Sequence, residues 1–130
     1  MKKSLLLLTA LFTVVFFLHS CKKESEPQDP ADSYVGIWLA NDTLTYPGST
    51  PVYKSYNFSV TKTTPNTVSF TGFSSYSTSV NATVSETAIA FTNGSDIGIV
   101  NFLGSKNGSI MTYTYATMNG KSVTGKATKQ

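Results

Sequence analysis

The sequence holds 130 residues, enough for one domain. Charged side chains make up only 13%, and arginine is absent. Within residues 34–130 six lysines stand singly against Asp42, Glu86 and Asp96. Nucleic-acid binding needs a clustered basic footprint, so that partner is excluded.

Lys2 and Lys3 open the chain. An apolar run follows from Ser4 to Leu18 and ends in Leu18-His19-Ser20-Cys21. Positive charge, a short apolar run and a small residue, in that order, make a secretory signal over residues 1–20. The run is shorter than the roughly 20 apolar residues of a membrane-spanning helix. Its ending resembles the lipobox of bacterial lipoproteins, with Leu18 as the aliphatic residue and Ser20 as the small one. That resemblance implies cleavage between Ser20 and Cys21 and a diacylglycerol on the Cys21 thiol, which ties the chain to a membrane. Several acyl chains hold a protein there stably. Lys22 stands where an Asp retains lipoproteins at the inner membrane. The stretch Lys22-Lys23-Glu24-Ser25-Glu26 is loosely similar to the charged export signals of Bacteroidota lipoproteins. The two together imply the outer membrane. The periplasmic and the cell-surface face both stay open, with the surface favoured. Cys21 is the only cysteine, so no internal disulfide forms.

Residues 21–33 are expected to be a flexible tether, rich in acids and in Pro27 and Pro30. From Tyr34 the apolar pattern has period two, and Ser, Thr, Val, Tyr and Phe dominate, as in strands. Eight strands are expected. The first covers about 34–46, with a break near Asn41-Asp42. The second, about 52–62, alternates Tyr56, Phe58 and Val60 with Ser55, Asn57 and Ser59. Pro65-Asn66 turns the chain. Val68 and Phe70 mark the third strand, which ends near Gly72. Val80, Ala82 and Val84 mark the fourth, and Ile89 and Phe91 the fifth. In the sixth, Ile97, Ile99 and Leu103 share one face with Val100 and Phe102 opposite, so both faces are expected to be buried. Met111, Tyr113 and Tyr115 mark the seventh, and Val123 and Ala127 the eighth. Asn93-Gly94, Asn107-Gly108 and Asn119-Gly120 are turn signals. The expectation over residues 34–130 is an all-β domain, a single small antiparallel up-and-down barrel of about eight strands. A two-sheet β-sandwich is the alternative.

The domain opens with Tyr34-Val35-Gly36-Ile37-Trp38. Gly36 and Trp38 resemble the Gly-x-Trp that begins the first strand of lipocalins. The whole domain is similar to the small lipocalin-like lipoproteins of Bacteroidota. The resemblance implies that Gly36 and Trp38 sit at the barrel floor, where lipocalins set an Arg against the Trp. Lys126 or Lys129 is the cation available here, without the planar guanidinium that stacks on a ring. Asp42-Thr43-Leu44 resembles the acceptor for periplasmic O-glycosylation in Bacteroidota, which makes Thr43 a candidate modification site.

Chemistry is sparse. The mature chain has no His, hence no usual general base at neutral pH and no Ser–His–Asp triad. It has no cofactor motif and no thiolate or imidazole set for a metal. The three domain carboxylates Asp42, Glu86 and Asp96 fall in or beside expected turns, away from a glycosidase-type pair. The expectation is therefore a protein that is not an enzyme and uses no cofactor or metal. Tyr76, Tyr46 and Tyr53 are the candidate ligand contacts, Tyr76 foremost because it lies in a serine-rich loop. Tyr56, Phe58, Tyr113 and Tyr115 are expected in the core. Two functions compete: a membrane-anchored binding module for a small apolar or glycan ligand, and a barrel with a filled core that meets an envelope protein as accessory subunit or inhibitor. A cavity of a few hundred cubic ångströms would separate them.

Overall fold

The computed structural model describes residues 28–92 and 94–130. The signal, the Ser20–Cys21 junction and most of the tether lie outside the described residues. Eight antiparallel strands form a closed barrel in simple sequential order. They are β1 (Gly36–Thr45), β2 (Val52–Thr64), β3 (Thr67–Thr71), β4 (Val80–Val84), β5 (Ala88–Phe91), β6 (Ile99–Asn107), β7 (Ile110–Thr117) and β8 (Ser122–Lys129). β1 pairs with β2 on one side and β8 on the other, which closes the cylinder and replaces the sandwich alternative.

Alternation sets the faces. Trp38, Ala40, Asp42 and Leu44 of β1 point inward with Phe58, Val60, Val68, Phe70, Val80, Ala82, Val84, Met111, Tyr113, Tyr115, Val123 and Ala127. The outward positions carry Ser59, Thr61, Ser69, Thr71, Asn81, Thr83, Ser105, Thr112, Thr114 and Thr124. This is the reverse of a membrane-spanning barrel, which turns an apolar band outward.

Three sequence expectations are corrected. No break occurs at Asn41-Asp42. β1 runs through it, because Asp42 keeps the inward phase of Trp38 and Ala40 and its carboxylate is satisfied inside. β6 is buried on one face only. A register shift lies between Val100 and Leu103, with Asn101 in the left-handed region (φ 53°). The inserted residue changes the phase, so Ile99 and Phe102 both point in while Leu103 is 68% exposed. Ile97 belongs to a 3-10 turn ahead of the strand. Finally, the tether ends before residue 33. Pro30–Ser33 form a 3-10 turn that buries Ala31. The Ala31 N–H donates to the Pro65 carbonyl (3.0 Å), and Lys62 pairs with Asp29 (2.6 Å) and Asp32 (2.9 Å).

Of the turn signals, Pro65-Asn66 links β2 to β3, and Gly108 (φ 57°) and Gly120 (φ 80°) take the left-handed conformation that glycine allows. Asn93 lies outside the described residues. Gly94 is buried at the start of the 3-10 turn Gly94–Ile97.

The up-and-down order gives the barrel two distinct ends. The entry end carries the Pro30–Ser33 turn and the short turns β2–β3, β4–β5 and β6–β7. The loop end carries residues 46–51, the Gly72–Ser79 segment, the Gly94–Ile97 turn and the β7–β8 turn.

Candidate functional site

At the entry end Trp38 is fully buried. Its indole N–H donates to the Tyr34 carbonyl (2.8 Å), and Lys129 Nζ stands 5.9 Å from its ring centroid. Lys129 also donates to the Ser33 carbonyl (3.3 Å). Gly36 (φ 138°) holds a backbone conformation that side chains disfavour, and a Cβ there would push on the flexible end of Lys129. Tyr34 is buried beside this floor, donates to the Ala88 carbonyl (3.1 Å) and is pushed up to about 12 by burial. Lys126 lies on the outer wall instead.

The lumen is filled. Phe73 comes from the loop after β3 and is 1% exposed. Its ring centroid stands 5.2–6.1 Å from seven others: Tyr56 (6.1 Å), Phe58 (5.3 Å), Phe70 (5.8 Å), Phe91 (5.2 Å), Phe102 (5.7 Å), Tyr113 (5.2 Å) and Tyr115 (5.8 Å). Most of these pairs are edge-to-face, the arrangement that ring quadrupoles favour. The backbone that delivers Phe73 is strained. Ser74 (φ 54°) and Ser75 (φ 66°) are consecutive non-glycine residues in the left-handed region, at roughly 1–2 kcal/mol each.

Beside this cluster lies the one buried acid among the described residues. Asp42 is 2% exposed. Tyr113 donates its hydroxyl to Oδ1 (2.6 Å), and Tyr56 (2.9 Å) and Tyr115 (3.3 Å) donate to Oδ2. Ser74 Oγ meets the Tyr115 hydroxyl at 2.9 Å, which links the strained loop to the carboxyl. Burial pushes the Asp42 carboxyl up. The three hydroxyls and Lys54, its register partner on β2, pull it back only in part. Burial pushes the three tyrosines well above their ordinary range, so they remain donors. Gly125 makes room: a Cβ there would collide with the Tyr113 ring and Asp42 Oδ1.

Glu86 is in the β4–β5 turn at the entry end and Asp96 in the 3-10 turn at the loop end, so neither joins Asp42. Among the described residues no group of three His, Cys, Asp or Glu side chains gathers.

The three candidate contact tyrosines lie toward the loop end. Tyr53 is 77% and Tyr76 42% exposed, and Met118 (63%) and Val52 (47%) are exposed at the same end. Tyr46 is half-buried, with Lys121 Nζ 4.9 Å from its ring centroid. Thr43 is half-buried on the outer face of β1, between Tyr53 and Thr124. It borders an open groove of about 570 Å³ on the outer wall, together with Leu103, Thr114, Thr124 and Lys126.

Sequence reasoning placed Asp42 at a turn and passed over Phe73. Continuing the two-residue phase from Trp38 would have turned Asp42 inward. Phe73, one large ring in a polar loop, was the other available sign.

No family model matches this chain, and neither does any curated protein. Among solved structures the chain is similar to one described as a redesigned beta barrel, with 17% identity and a TM-score of 0.50, over 82% of this chain and 99% of that one. The likeness concerns the fold alone.

Proposed function

We propose that the chain is an outer-membrane lipoprotein of the lipocalin-like Bacteroidota type, anchored through Cys21, and a non-enzymatic binding module. One observation carries the binding surface: the exposed tyrosines gather toward the end of the barrel opposite the one where the chain enters. The tether from Cys21 reaches the barrel at the entry end, within roughly 30 Å of extended chain. The loop end then faces away from the bilayer, toward whatever the envelope presents.

The filled lumen turns recognition to the outer surface. There Tyr53 and Tyr76 stand among Ser, Thr and Asn, with Lys54, Lys121 and Asp96 singly at the same end, a sparsely charged mixture that suits a glycan ring better than a phosphate. Tyrosine gives a rigid contact with a polar tip at low entropic cost. The separation of Asp42 from Glu86 and Asp96 supports binding rather than glycoside hydrolysis. A second reading, an interaction barrel for an envelope protein, draws support from the same filled lumen. If Thr43 carries a glycan, its transferase reads Asp42 before folding, because the folded barrel turns Asp42 inside.

A glycan array with the full-length protein tests the leading reading. Binding is expected to change little between low and high salt, and Tyr76→Ala or Tyr53→Ala is expected to weaken it about fivefold or more. No glycan bound, alongside a stoichiometric envelope protein on crosslinking, would replace it with the second reading.

A further inference from the structure

Phe73 differs from the other rings of the lumen. They sit on strands or, like Tyr34, at the floor. Phe73 enters from a loop, and two consecutive serines hold that loop in a conformation that side chains disfavour. A core residue needs no such backbone unless the surrounding contacts hold it in place. The restraint is identifiable: the Ser74 hydroxyl on Tyr115, and beyond it the Asp42 carboxyl. Withdrawing one loop would therefore vacate a ring-shaped space walled by Phe58, Phe70, Phe91 and Phe102. Strand pairing would stay intact. The space has a polar side as well. Tyr56, Tyr113 and Tyr115 all touch Phe73 and all carry their hydroxyls to Asp42.

We propose that Phe73 is a displaceable plug, and that the space it fills is a second binding site, for a ligand with one aromatic ring and a short cationic arm. The ring replaces the Phe73 ring against the same walls. The arm, an ammonium or similar donor, reaches the tyrosine hydroxyls and the Asp42 carboxylate, where no arginine or histidine competes. Lys54 is the cation nearest in register, and it stands on the exposed rim. The outward swing of Ser74 and Ser75 releases their backbone strain, so part of the work of opening is already stored in the closed loop. This site is distinct from Tyr53 of the binding reading, whereas Tyr76 rides on the same loop as Phe73.

The test is a nuclear magnetic resonance titration of the full-length chain with 2-phenylethylamine, and with ethylbenzene as the neutral comparator, into the tens of millimolar. Wild type is expected to shift resonances of Tyr113, Tyr115 and Ser74–Ser79 saturably. Ser75→Gly relaxes the closed loop and is expected to weaken binding about threefold or more. Phe73→Ala removes the competing ring and is expected to tighten it about tenfold or more. Asp42→Asn is expected to erase the preference for the amine over ethylbenzene. A wild-type protein without lumen shifts overturns the proposal, even if Phe73→Ala binds, because Phe73 is then fixed core. If Phe73→Ala does not fold, the wild-type titration and Ser75→Gly decide. An effect of Tyr53→Ala on glycan binding survives either outcome, so the two readings fail separately.

Discussion

Tyr113 and Gly125 stand opposite each other on β7 and β8, and the ring of the first occupies the place a side chain on the second would take. The same Gly125 clears the approach of Asp42 Oδ1 to the Tyr113 hydroxyl. Overpacking a tight core costs about 1–3 kcal/mol. Gly125→Ala is expected to lower stability by about that amount or more, since it displaces a ring and disturbs a buried hydrogen bond together. Urea denaturation followed by circular dichroism measures it. An unchanged midpoint would mean that the β8 backbone yields without loss.

Asp42 gives stability a pH dependence of unusual sign. Its folded pKa is raised above the ordinary 3.8, chiefly by burial. Below the unfolded value both states are protonated and the contribution is fully present. As pH rises through the folded value the native state must ionise a buried group, and the contribution is lost. Asp42→Asn is expected to remove this dependence, which appears as the difference between the two denaturation curves from pH 3 to pH 8. A wild type that gains stability relative to Asp42→Asn on going from pH 4 to pH 8 would show the tyrosine hydroxyls outweighing desolvation.

Trp38 reports on the entry end. Buried, with its N–H on the Tyr34 carbonyl, it is expected to emit at short wavelength and resist iodide. Lys129→Gln removes the cation over its face and is expected to cost about 0.5–1 kcal/mol. Red, freely quenched emission would contradict the closed floor.

The anchor is tested apart from the fold. Cys21→Ala is expected to block processing, so that the protein keeps its apolar signal segment and carries no acyl groups. Intact mass of wild-type membrane protein is expected to exceed the cleaved polypeptide by its acyl groups, and a mass without them would refute lipidation.

The barrel was legible because its signals are local. Period two in Tyr56-Asn57-Phe58-Ser59-Val60 needs no tertiary context, and Gly108 and Gly120 follow from turn chemistry. The interior chemistry was less legible, because it depends on partners distant in sequence. Asp42 reads as a turn residue until Tyr56, Tyr113 and Tyr115 are known to meet it. Phe73 reads as a loop residue until seven rings are known to surround it. The phase change at Asn101 was hidden too, since one inserted residue leaves composition untouched while reversing every face after it.

The sequential strand order also determines how the chain reaches this state. Each neighbouring pair from β1–β2 through β7–β8 is a local hairpin or a short loop, cheap to close and early to form. Among the described strands only β1 and β8 must find each other across nearly the whole domain. That seam is the high-contact-order step, and such steps dominate folding time. It is also where Asp42 meets Gly125 in register. The carboxyl therefore leaves water in the slow closure itself, so acidity should speed folding as well as slow unfolding.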